Sequence, residues 1–163
     1  MDFNAFKQAV IAAAEAAGIT EYELYFTSSD SLSVSAFGHV MEKYSSSVDG
    51  GVCLRGLVGG HMGYASTQAL NAREALEIVD RAADNASILE TEEPIFLGQG
   101  GQEYEVLDRK PYPLPTTEEL VSTVLATQEK LYAQDPSVVD GTETEGLFQH
   151  TELYLYNSRG LIS

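Results

Sequence analysis

Between residues 22 and 67 the chain is a succession of alternating apolar and polar residues cut at intervals by glycine. That pattern constrains the fold more than any other feature. Residues that alternate with period two place their apolar side chains on one face of a strand. Tyr22, Leu24 and Phe26 fall on one face, and Leu32, Val34 and Ala36 on one face of the next strand. Ser29-Asp30-Ser31 and Phe37-Gly38-His39 read as turns, residues 40–48 as a third strand, and Asp49-Gly50-Gly51 as a turn into Val52-Cys53-Leu54-Arg55. Gly59-Gly60 suits a type I′ turn, whose two central residues both need positive φ. The result is an antiparallel meander and excludes a nucleotide-binding crossover, because strand follows the glycines where a helix N-terminus would be needed.

Helical spacing appears outside this region. Phe3, Phe6, Val10, Ala14 and Ala17 recur at three- and four-residue steps over residues 3–17, with Gly18 at the position that ends a helix. Asn71 and Glu74 form a capping pair for a second helix, with Leu76, Val79, Ala83 and Ala86 on one face. Residues 90–101 hold acids, Pro94 and a glycine cluster and read as a loop, and Pro111, Pro113 and Pro115 extend the irregular stretch. Thr116 and Glu119 open a third helix bearing Leu120, Val124 and Leu131, closed by Asp135-Pro136. Strands return at residues 138–142 and 147–156, where Leu153 and Leu155 oppose Tyr154 and Tyr156; Asn157-Ser158-Arg159-Gly160 is a turn. The expected class is α+β, an antiparallel or mixed sheet with about three helices on it. Leu161-Ile162 starts another apolar run just before the end, so residues 1–156 are expected to form the domain and 157–163 to begin a following one that is missing.

Charge limits the partners. There are 25 Asp+Glu against 9 Lys+Arg, a formal net of −16. Such a surface repels phosphate, since nucleic-acid affinity comes mainly from Lys and Arg, and direct DNA or anionic-membrane binding is not expected. The excess is concentrated late, where Glu143, Glu145 and Glu152 stand with few bases nearby. No window is apolar enough to span a bilayer and no signal pattern opens the chain. The single cysteine, Cys53, has no internal disulfide partner, and together these point to the cytoplasm.

The chain carries few residues in patterns that catalysis uses. His39, His61 and His150 are the only histidines, each on a strand or turn, and none belongs to H-E-x-x-H or a related helical pair. Cys53, between Val52 and Leu54, reads as a small core hydrophobe. No G-x-S-x-G elbow is present. Nine tyrosines and no tryptophan leave the candidate strands with amphipathic faces. Those faces serve either as half-buried packing or as a surface that docks a partner or an extended peptide. Tyr154 and Tyr156, with Glu143, Glu145 and Glu152, are the candidate peptide or partner contacts.

Three blocks resemble the N-terminal domain of the TldD/PmbA (TldD/TldE) family, once labelled modulators of DNA gyrase. They are Glu23-Leu24-Tyr25-Phe26 with Leu32-Ser33-Val34-Ser35 and Gly38; Asp49 to Arg55 with Gly63-Tyr64-Ala65-Ser66-Thr67; and Thr144-Glu145-Gly146 leading to Tyr156-Asn157-Ser158-Arg159-Gly160. The third is most similar to the PmbA/TldE branch. The resemblance implies a cytoplasmic, two-subunit zinc metallopeptidase acting on unfolded or modified peptides, its zinc held by an H-E-x-x-x-H motif in a TldD-like subunit. No such motif occurs in this sequence, so no catalytic or metal residue carries over. The implied role is noncatalytic: assembly with a TldD-like subunit or a homo-oligomer, and peptide guidance. Two other classes stay open from the residues alone: a free-standing acidic protein- or peptide-binding domain, and an enzyme whose site assembles from scattered His and Asp.

Overall fold

A computed structural model describes residues 1–90, 97–101, 113, 115–138 and 142–163. The elements run α1 (Phe3–Ala16), β1 (Tyr22–Phe37), β2 (Val40–Val58), β3 (His61–Thr67), α2 (Ala72–Ser87), α3 (Thr117–Gln134) and β4 (Glu143–Asn157). The strands form one antiparallel sheet in the order β3-β2-β1-β4, so the α+β class is as expected. Among the described residues no helix is long and apolar enough to cross a membrane.

Local chemistry sets the ends of the helices. Asp2 accepts from the Ala5 N–H at 2.8 Å and caps α1, and Gly18 leaves it at φ 74°. Asn71 accepts from the Glu74 N–H, and Thr116 and Glu119 cap α3 reciprocally. Each such cap satisfies N–H groups that have no partner inside the helix, and each contributes about 1 kcal/mol. The hairpin turns are also as read: Gly59 and Gly60 have φ of 59° and 89°, while Gly38 (58°) is followed by His39, a non-glycine at 67°.

Two expected turns are strand instead. Residues 29–31 lie inside β1 and residues 49–51 inside β2. The serines that look like turn formers bond across the sheet: Ser29 to Thr151 at 3.2 Å and Ser31 to Ser47 at 2.8 Å. Gly50 and Gly51 serve close strand approach. A Cβ would come within 2.6 Å of the Thr27 carbonyl oxygen at Gly50 and within 2.7 Å of the Thr67 carbonyl oxygen at Gly51. Residues 139–141 of the expected strand at 138–142, residues 91–96 of the expected loop, and residues 102–112 and 114 of the irregular stretch lie outside the described residues.

The chain divides into two compact units. The first comprises Met1–Ser28, Gly50–Glu105 and Glu152–Ser163. Its core joins Phe6, Val10 and Ala14 of α1, Leu24 and Phe26 of β1, Val52 and Leu54 of β2, and Ile78, Val79 and Ala82 of α2. Full burial of each large apolar side chain there contributes about 1.5–3 kcal/mol. The backbone of α2 lies directly on β3, because a Cβ at Gly63 would overlap the Ala82 carbonyl. Leu76, expected on the buried face of α2, is 58% exposed; Ala75, Ile78 and Ala82 take the core side.

The second unit comprises Ser29–Asp49 and Val106–Thr151. Val34 and Ala36 pack there against Val124, with Leu120, Val121 and Leu125 around them. Leu131 is 40% exposed, contrary to expectation. The fully buried residue one turn beyond Val124 is Gln128, which donates to the carbonyls of Ala36 and Thr142 and accepts from the His39 N–H.

Tyr22 carries a pH signature. Burial pushes its phenol up from 10 to about 12, helped by neighbouring Tyr156 and the charge of Glu15. The unfolded chain releases that proton near 10 while the folded one keeps it, so this contribution is intact below pH 10 and is lost as pH rises towards 12. Tyr22→Phe is expected to flatten the fall of urea-unfolding free energy between pH 9.5 and 12; an unaltered slope would contradict this assignment.

Candidate functional site

Glu23 lies on the face of β1 opposite the core, yet is only 7% exposed. A carboxylate out of water needs partners, and Glu23 has two from other strands. Arg55 of β2 reaches one oxygen, Oε1, through Nη2 at 2.6 Å and Nε at 2.8 Å. Asn157, wholly buried at the end of β4, donates through Nδ2 to Oε2 at 3.2 Å. The same Nδ2 donates to the Gly98 carbonyl at 2.9 Å. Asn157 Oδ1 accepts from the N–H groups of Arg159 and Leu161, each at 3.0 Å, and so shapes the turn at the end of β4.

That turn is fastened to the start of β1. Ser158 exchanges two bonds with Tyr22: its N–H donates to the Tyr22 carbonyl and its Oγ accepts from the Tyr22 N–H. Arg159 grips both oxygens of Glu21 at 3.0 and 2.8 Å. Residues 161–163 then turn back along β4, with Ile162 bridged to Tyr156.

Beside the bridge, on the same side of β2 as Arg55, is a shallow groove of about 490 Å³ lined by Tyr25, Thr27, Gly51, Cys53, Ser66 and Gln68. Cys53 is partly buried, and that burial pushes its thiol up, with Arg55 opposing. A thiol held in its neutral form is a poor nucleophile, which agrees with its reading as a small hydrophobe. Ser66 and Thr67 are tied to α2: Thr67 donates to Glu74 at 2.8 Å and Arg81 donates to the Ser66 carbonyl.

The candidate contact residues all lie on β4 but fall in different units. Glu143 and Glu145 belong to the second unit, where Glu143 stands 3.8 Å from Lys43. Glu152, Tyr154 and Tyr156 belong to the first. Tyr154 stacks on Phe3 at 5.6 Å and meets Phe26 at 5.8 Å; Tyr156 lies 6.5 Å from Tyr22, under the Lys7 ammonium. Both rings are therefore used in packing, and Tyr154 remains 45% exposed. The histidines do not assemble into a ligand set. His39 bonds Glu129 at 2.7 Å and stacks on Tyr132, and among the described residues no three His, Cys, Asp or Glu groups converge to hold a metal. The described residues do not fit a zinc ion.

Residues 22–86 match the family model described as PmbA/TldA metallopeptidase domain 1. The match takes in 65 of the 163 residues, so it is a likeness over less than half of the chain. Solved structures share its fold. One, from Thermotoga maritima and described as a candidate modulator of DNA gyrase, superposes with a TM-score of 0.82 at 21% identity over 99% of this chain and 36% of its own. TldE from Thermococcus kodakarensis gives 0.77 at 18% identity over 98% of this chain and 36% of its own. A second candidate gyrase modulator, from Bacteroides thetaiotaomicron, gives 0.76 at 18% over 98% and 37%. The chain thus spans little more than a third of these proteins. No curated protein matches it by sequence.

The bridge joins the three blocks that carry the sequence resemblance: Glu23 from the first, Arg55 from the second, Asn157 from the third. Periodicity could not place them together, since 32 and 134 positions separate Glu23 from its partners. Removing Arg55 leaves a buried carboxylate short of its cation. Arg55→Met is expected to cost about 3 kcal/mol, the lower end for a broken buried pair because Arg55 is 32% exposed. Adding Glu23→Met should recover most of that loss in urea denaturation; a silent Arg55→Met would show that the pair holds nothing.

Proposed function

We propose that this chain is the supporting first domain of a cytoplasmic, two-subunit PmbA/TldD-type zinc metallopeptidase that acts on unfolded or modified peptides. It serves subunit assembly and peptide guidance, with zinc and its H-E-x-x-x-H ligands in a TldD-like partner. The observation that carries this reading is the match of residues 22–86 to a metallopeptidase first domain. The use made of the motif residues supports it. Glu23, Arg55, Asn157, Ser158 and Arg159 each spend their polar groups on strand-to-strand contacts, which suits a scaffold. The fold shared with TldE supports the noncatalytic branch. The late carboxylates Glu143, Glu145 and Glu152 add a negative field that draws basic peptide segments and repels DNA, so the gyrase label fits this surface poorly.

The test is recovery of the native protein from its own cells at endogenous level, followed by mass spectrometry and metal analysis. A stoichiometric partner bearing H-E-x-x-x-H and one zinc per complex is expected. Recovery of the protein alone, without zinc, would favour the free-standing acidic binding domain.

A further inference from the structure

Among the described residues, one edge of β2 in the second unit has no strand beside it. β2 runs for 19 residues, but its ladder with β3 begins at Val52, opposite Thr67. Over residues 40–49 its remaining neighbour in the sheet is β1, and among the described residues nothing pairs with the other side. This stretch is exposed along nearly its whole length. Val40 is 63% exposed, Tyr44 50% and Val48 75%, so apolar side chains recur every fourth residue along an edge with no partner among the described residues.

Proteins usually blunt such edges with proline or lysine, because free N–H and C=O groups recruit other strands. Residues 40–49 contain no proline and one lysine, Lys43, whose charge is turned to Glu143. Glu42 and Asp49 lie on the edge itself. The described residues of this unit hold nine carboxylates against two lysines.

We propose that the outer edge of β2 over residues 40–49 is a strand-addition site for an extended, cationic polypeptide segment that alternates basic and apolar residues. The main chain of the segment would pair with β2, its apolar side chains would lie beside Val40, Tyr44 and Val48, and its lysines or arginines would meet the carboxylate field. This rests on the peptide-handling function proposed for the chain and names the surface that does the handling. A second copy of the chain is disfavoured as occupant, since two bodies of net charge −16 repel.

The test uses the full chain and a fluorescein-labelled ten-residue peptide alternating Lys with Val or Thr, read by anisotropy. A second peptide, identical except for N-methylation of alternate amides, removes strand pairing and leaves charge intact. The unmethylated peptide is expected to bind, and to weaken as salt rises from 50 to 500 mM. Methylation should abolish binding, as should Val48→Lys, which changes a 75%-exposed side chain. Glu42→Gln with Asp49→Asn should weaken it roughly two- to tenfold at low salt. Equal binding of the methylated peptide, indifference to the edge substitutions, or no binding at all overturns the proposal. So does self-association that strengthens with salt and disappears in Val48→Lys, which would make a second copy the occupant. A zinc-bearing partner with no peptide at this edge sinks this inference alone; peptide at the edge without such a partner sinks the peptidase reading alone.

Discussion

A carboxylate withdrawn from water is the constraint around which the first unit is arranged. Glu23 is tolerable at 7% exposure only because Arg55 and Asn157 satisfy both its oxygens. That requirement fixes β2 and β4 on either side of β1 at one register. Asn157 extends the constraint, because its amide also holds the Gly98 carbonyl and shapes the turn at residues 158–161. Ser158 and Arg159 then fasten that turn to the first residues of β1. A buried ion pair of this kind adds little net stability compared with an apolar replacement, but breaking it is costly, so it acts as a register device.

The opposite face of the same strands supplies most of the stability. Leu24, Phe26, Val52 and Leu54 meet α1 and α2, and α2 can approach β3 closely because Gly63 has no side chain. The two faces thus divide the labour: apolar burial stabilises the unit, and the polar bridge selects the strand pairing. The groove beside the bridge is lined by small and hydroxylic groups and by the Cys53 thiol, which burial pushes up.

Much of this was legible in the sequence, where the governing interactions are local. The N-caps of α2 and α3 follow from Asn71 and Thr116 with their partners three residues on, and the Gly59-Gly60 turn from two glycines that take positive φ. The misread segments answer to distant partners. Ser29 and Ser31 look like turn residues until Thr151 and Ser47 supply cross-strand bonds, and Gly50-Gly51 looks like a turn until the Thr27 and Thr67 carbonyls require the space. Spacing puts Leu131 on the buried face of α3, but Gln128 takes that place, with its amide donating to the carbonyls of Ala36 and Thr142. The bridge itself was visible only as three separate motif blocks; that they meet in one contact is a property of the folded sheet.

The central claim is that the residues carrying the family likeness hold the scaffold and take no part in bond-breaking. Asn157→Ala in the native complex tests it most directly, with thermal melting and peptide hydrolysis measured on the same samples. The account predicts a clear fall in Tm, with hydrolysis per folded complex unchanged at temperatures well below it. An unchanged Tm with hydrolysis lost would contradict it, and would place Asn157 among the groups that act on the substrate.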